Sequence, residues 1–97
     1  MIPAKKVEII VEAVSQTKIV ALLTKLNIQG YSIIKEISGS GSHGTYDAEE
    51  ISDLFKNVYF IVICSEQEAL ALLEGTRTFI KKYGGIAFSS DVQLLKK

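Results

Sequence analysis

An α+β fold of the ferredoxin-like type, β-α-β-β-α-β, is what these 97 residues predict. Three observations carry that prediction. Four short segments are β-branched and alternate apolar with polar residues, or are apolar throughout. Two longer segments repeat apolar residues at helical spacing, and each is followed by glycine. The two kinds of segment follow one another in the order strand, helix, strand, strand, helix, strand. The chain is long enough for one domain, 1–97, and for a modest core.

"KKVEIIVEAV" opens the chain as a strand, with Val7, Ile9 and Val11 on one face and Glu8, Ile10 and Glu12 on the other. "SQTKIVALLTKLNIQG" predicts a helix with Ser15 as N-cap and Gly30 as its stop. Ile19, Leu22, Leu23 and Leu26 form its buried face. "YSIIKEI" is a second strand, and "NVYFIVICS" is a third. Ser65 and Glu68 form a capping box that opens a second helix, whose inner face is Ala69, Leu72, Leu73, Thr76 and Ile80. "YGG" ends that helix, and "IAFSSDVQLL" is the fourth strand. Right-handed crossovers put both helices on one face of the sheet. The third strand is nevertheless apolar on both faces: Tyr59, Ile61 and Ile63 on one, Val58, Phe60 and Val62 on the other. With both helices already used, the second face calls for another copy of the chain. Burying three such side chains contributes about 5 kcal/mol per subunit before ordering costs.

Composition narrows the function classes. Eleven basic and eleven acidic residues cancel, and no Lys/Arg stripe with interleaved aromatics is present, so no nucleic-acid partner is expected. The single cysteine, Cys64, lies in an apolar run and reads as a core thiol in a reducing compartment. No secretory leader and no membrane span are expected, because no apolar run approaches about 20 residues. His43 and Cys64 lie on different elements and supply too few soft ligands for a metal site. No nucleophile–base pair is legible, and an enzyme is not expected.

The stretch "ISGSGSHGTYDAEEIS" joins strands two and three, where two to five residues would serve. It predicts a flexible loop over about 38–53. Successive N–H groups in a glycine-rich turn can cradle an anion, and Ser40, Ser42 and His43 would add donors. It is no Walker A loop, since no Lys-Ser/Thr follows the last glycine. A plain flexible linker has the same composition, so both readings stand. "KKYGG" likewise has two readings: a helix C-terminus with its αL glycine, or a close backbone approach for a ligand flanked by Lys81 and Lys82.

Taken together, the element order, the long loop after strand two and "YGGIAFSSDVQLL" resemble the PII signal-transduction superfamily over nearly the whole chain. The loop start "SGSGSHG" is similar to that of the PII-like branch of bicarbonate-transport regulators and carboxysome-associated PII proteins. That resemblance implies a cytoplasmic homotrimer that binds an adenine nucleotide between subunits. The long loop would order with the nucleotide and regulate a partner, a bicarbonate or other membrane transporter. Carried over by position, Gly39, Gly41, Ser42 and His43 would meet the phosphates, and Gly84, Gly85 and Ile86 would border the nucleotide from the other side. No tightly bound cofactor is implied. No Lys or Arg lies between Lys35 and Lys56, which favours AMP or ADP over ATP, with cyclic AMP a further candidate. If His43 faces a phosphate, affinity rises as pH falls through about 6.5. Tyr46 is expected to be an unmodified loop residue, and Arg77 a surface residue. Localisation is expected to be cytoplasmic, peripheral at a membrane through a partner or carboxysome-associated. The alternatives are a divalent-metal-tolerance trimer or a purely structural trimer of the same fold.

Overall fold

The computed structural model describes residues 1–38 and 56–97. The strands are β1 (Ile2–Glu12), β2 (Ser32–Ile37), β3 (Asn57–Cys64) and β4 (Ile86–Leu94). The helices are α1 (Gln16–Lys25) and α2 (Glu66–Tyr83), and a 3₁₀ turn, Ala13–Ser15, leads from β1 into α1. The four strands form one antiparallel sheet in the order β2-β3-β1-β4. This is the split βαβ arrangement expected from the element order.

The register explains the two faces. Val7, Ile9 and Val11 sit beside Val62, Phe60 and Val58, and all six are buried. Ile19 and Leu23 of α1 and Ala69 and Leu72 of α2 join the same core cluster, so both helices cover this one side. The alternate residues point the other way. On that open side lie Ile10, Tyr59, Ile61, Ile63, Ile34, Ile86 and Phe88. Ile34, Ile63, Ile86 and Phe88 are exposed. One polar pair interrupts this apolar surface: the Tyr59 phenol donates to the Glu8 carboxylate, and Lys6 Nζ lies 3.8 Å from Glu8 Oε2.

The helix ends agree with expectation at α2 and depart from it at α1. Ser65 Oγ accepts from the Glu68 N–H at 3.1 Å. Glu68 accepts from the Ser65 N–H at 2.9 Å, completing the capping box. Ser15 does not cap α1. Its backbone is already helical, φ −91° and ψ −3°, and its side chain makes no capping bond. The residue that satisfies an N-cap is extended there, and the 3₁₀ turn removes that geometry. Nor does Gly30 stop α1. The helix ends at Lys25, and Asn27 takes the left-handed position, φ 59°. Its N–H reaches Thr24 O at 3.0 Å and the Ile28 N–H reaches Leu23 O at 2.9 Å, a Schellman motif sealed by buried Ile28. Where the helices approach, a Cβ on Gly75 would lie 2.8 Å from Leu22 Cδ1.

Candidate functional site

The two candidate half-sites lie at one end of the sheet. At the close of α2, the Gly84 N–H donates to Ile80 O at 2.8 Å. Gly84 and Gly85 then turn with φ 85° and 110°. Gly85 presses on β1: a Cβ there would lie 2.7 Å from Ile10 O and 2.9 Å from Val11 Cγ1. The turn thus needs glycine twice over, for its backbone angles and for its closeness to the strand. Ile86 begins β4 opposite Ile10, is 53% exposed and stands on the open side. Of the residues expected at the site, the described ones are the three consecutive residues Gly84, Gly85 and Ile86. Gly39, Gly41, Ser42 and His43 lie outside the described residues, as do Tyr46 and nearly all of the loop over 38–53.

The loop's two stems are described. β2 carries a bulge between Ile34 and Ile37, where Glu36 adopts φ 61°. Glu36 Oε1 lies 3.6 Å from Lys56 Nζ, tying the residue that leaves β2 to the one that enters β3. The Ala13 N–H donates to Lys56 O at 2.6 Å, so the end of β1 and the second stem are joined as well. Sequence reasoning missed this pairing, because the whole loop separates Glu36 from Lys56 along the chain. The stems stand at the β2 edge and the Gly84–Gly85 turn at the β4 edge. Three strand spacings, about 14 Å, separate them within one chain.

The helix side of the same end is cationic. Lys18 Nζ and Lys82 Nζ stand 4.9 Å and 5.2 Å from the centre of the Tyr83 ring. Hydrogen bonds from Lys82 and then Lys18 push the Tyr83 phenol below its usual pKa. Phe79 holds the ring at 4.9 Å between centroids. On the open side the opposite holds: the bond to Glu8, then burial, raise the Tyr59 phenol. Cys64 is buried and free, and burial first, then Glu68, raise its thiol, which suits a core residue. Arg77 is exposed and pairs with Glu74 at 3.3 Å.

A depression of about 610 Å³ opens at the far end of the sheet, lined by Lys5, Glu66, Asp91 and Gln93 among others. Lys5 and Asp91 form an ion pair within it. It does not coincide with Gly84–Ile86. Among the described residues, no group of three His, Cys, Asp or Glu could hold a metal. No described helix is long and apolar enough to cross a membrane.

Comparison with known proteins places this geometry. The family model of nitrogen regulatory protein P-II matches residues 4–97. Curated proteins give no significant sequence match. Among solved structures, the chain resembles CPII, a nitrogen regulatory PII-like protein from Thiomonas intermedia, bound to ADP, AMP and bicarbonate. The TM-score is 0.85 at 32% identity, covering 95% of this chain and 88% of that one. A PII-like signalling protein from Thermus thermophilus is similar with TM-score 0.78 at 26% identity, covering 94% and 88%. The GlnK–ATP complex of B. subtilis shares the fold, with TM-score 0.68 at 18% identity, covering 95% and 84%. With its sheet order, its two helices on one face and a family match along nearly its whole length, the chain belongs to the nitrogen regulatory protein P-II family, in the PII-like branch.

Proposed function

We propose that this protein is a signalling trimer that senses an adenine nucleotide and acts on a partner through the loop between β2 and β3. One observation carries the reading: a relative 32% identical over 95% of this chain is bound to ADP, AMP and bicarbonate. Three copies cover one another's open sheet faces, which gives Ile61, Phe88 and their neighbours an apolar environment. The seams between copies then hold the nucleotide. Loop stems and glycine turn lie at opposite edges of one sheet, so a neighbour's edge is a natural second wall for a ligand too short to reach both. Gly84, Gly85 and Ile86 border the nucleotide, and Gly39, Gly41, Ser42 and His43 meet its phosphates.

The loop has no lysine or arginine between Glu36 and Phe55. AMP or ADP therefore fits better than ATP, whose additional charge finds no fixed counter-charge there. The bicarbonate held by the Thiomonas protein points to inorganic carbon as the regulated process. A bicarbonate or other membrane transporter is the partner this reading selects, and the protein itself works in the cytoplasm without catalysing a reaction. No observation favours a metal-tolerance or purely structural role.

Calorimetric titration with AMP, ADP, ATP and cyclic AMP, each with and without bicarbonate, tests the reading. Binding is expected for AMP and ADP, more weakly for ATP, and His43→Ala is expected to flatten the rise in affinity at low pH. Limited proteolysis between 38 and 53 is expected to slow when ADP is present. No heat with any nucleotide at millimolar concentration would remove the sensor function.

A further inference from the structure

A carboxylate sits in the middle of the apolar open face. On β1, β3 and β4 the charged residues that alternate onto that side are Lys6, Glu8 and Glu12. Glu12 closes its strand, whereas Lys6 and Glu8 lie midway along it. Glu8 stands opposite Ile61 on one flank and Phe88 on the other, and Ile10 follows it on the same side of β1. One of its oxygens accepts from the Tyr59 phenol, and the other lies 3.8 Å from Lys6 Nζ.

The usual distribution of polarity is inverted here. Ile34, Ile63, Ile86 and Phe88 are exposed, while the Glu8 side chain among them is only 12% exposed. A charge that served solubility would reach for water. This one is turned into the face and held there by a phenol and an ammonium of its own copy. In the trimer proposed above, on which this subsection's proposal rests, neighbouring copies cover the face. Covering removes the water that Glu8 retains, so its charge then depends on Lys6 and Tyr59 alone within the copy. An apolar side chain at position 8 would add to the burial and would accept many ways of stacking. A buried polar group accepts few, because each wrong register strands it without a partner.

We propose that Glu8, with Lys6 and Tyr59, determines how copies of this chain meet: it admits the arrangement that leaves the three side chains bonded and penalises those that part them. The cluster thus gives up some association strength in exchange for a single assembly.

Two kinds of substitution separate this role from packing. Glu8→Gln leaves Lys6 without a counter-charge in the covered face, and the trimer dissociation constant is expected to rise at least about tenfold. Lys6→Met/Glu8→Leu/Tyr59→Phe replaces the whole cluster by apolar side chains of similar size. That variant is expected to associate at least as tightly as the parent, but as several species, with trimers among larger ones. Sedimentation velocity and native mass spectrometry across a concentration series read both results, with far-ultraviolet circular dichroism as the check on folding. Lys6→Met/Glu8→Gln, which removes both charges and keeps an acceptor for the phenol, serves where the triple variant does not fold. It is expected to recover affinity lost in Glu8→Gln, and no recovery would overturn the role of the pair. A trimeric parent whose triple variant is one trimeric species, or whose Glu8→Gln variant keeps parental affinity, would overturn the proposal and leave the trimer standing. A parent that sediments as single copies would remove the trimer and the proposal with it.

Discussion

Gly85 carries the strictest backbone demand described in this chain. Its φ of 110° belongs to glycine, and any Cβ would overlap Ile10 O and Val11. Gly85→Ala is expected to cost about 2 kcal/mol or more, from strain and overpacking together. Gly30→Ala, with nothing within 4 Å of the new methyl, is expected to stay within about 0.5 kcal/mol of the parent. Urea unfolding of both variants checks the contrast; equal midpoints would mean that the turn relaxes freely. The two tyrosines with opposite surroundings give a second prediction. Tyr83, beside two ammoniums, ionises first, and Tyr59, bound to Glu8, ionises after the ordinary phenols. For Tyr59 the folded value lies above the unfolded one. Its contribution to stability is therefore complete below about pH 10 and fades as pH rises through the folded value. Tyr59→Phe should remove the late step from an absorbance titration and flatten that part of the stability curve.

At the scale of elements, the two helices are bounded by different devices. α2 begins with a reciprocal capping box, and Ser65→Ala is expected to cost about 1 kcal/mol. α1 ends on a left-handed asparagine, so Asn27→Gly should be neutral or stabilising, while Asn27→Val should lose about 1–2 kcal/mol. Thermal melts of the three variants rank them; an Asn27→Val protein as stable as Asn27→Gly would contradict the Schellman geometry. The α2 cap was legible in the sequence because Ser65 and Glu68 are three residues apart, and that spacing is the mechanism. The α1 stop was not. Gly30 is the better αL residue by propensity, but Asn27 stands where Ile28 can still reach the core. Burial of Ile28 decided the position, and burial is a tertiary quantity.

The whole molecule is built around an imbalance between its two sheet faces. One face packs against both helices, and the other leaves Ile34, Ile63, Ile86 and Phe88 exposed. Covering it with further copies carries a concrete expectation. Ile61→Lys would put an ammonium into the covered face at a desolvation cost of several kcal/mol, against about 5 kcal/mol gained there per subunit. Sedimentation at micromolar concentration should find trimers for the parent and smaller species for the variant, with unchanged far-ultraviolet circular dichroism. A parent chain that sediments as a single copy would leave the apolar face unexplained and the seams without walls.

The sequence by itself determined the order of the elements, the residues of the core and the doubled apolar character of β3. Each depends on periodicity, and periodicity is written residue by residue. It also marked Gly84–Gly85 as a break after α2, and left open whether that break is a helix end or a close backbone approach for a ligand. Only the tertiary structure decided that Gly85 abuts Ile10 and Val11, that Glu36 meets Lys56 at the loop stems, and that Lys18 and Lys82 share one phenol. Those meetings join residues far apart along the chain. They follow from how two helices and four strands dock, which no local pattern of side chains encodes.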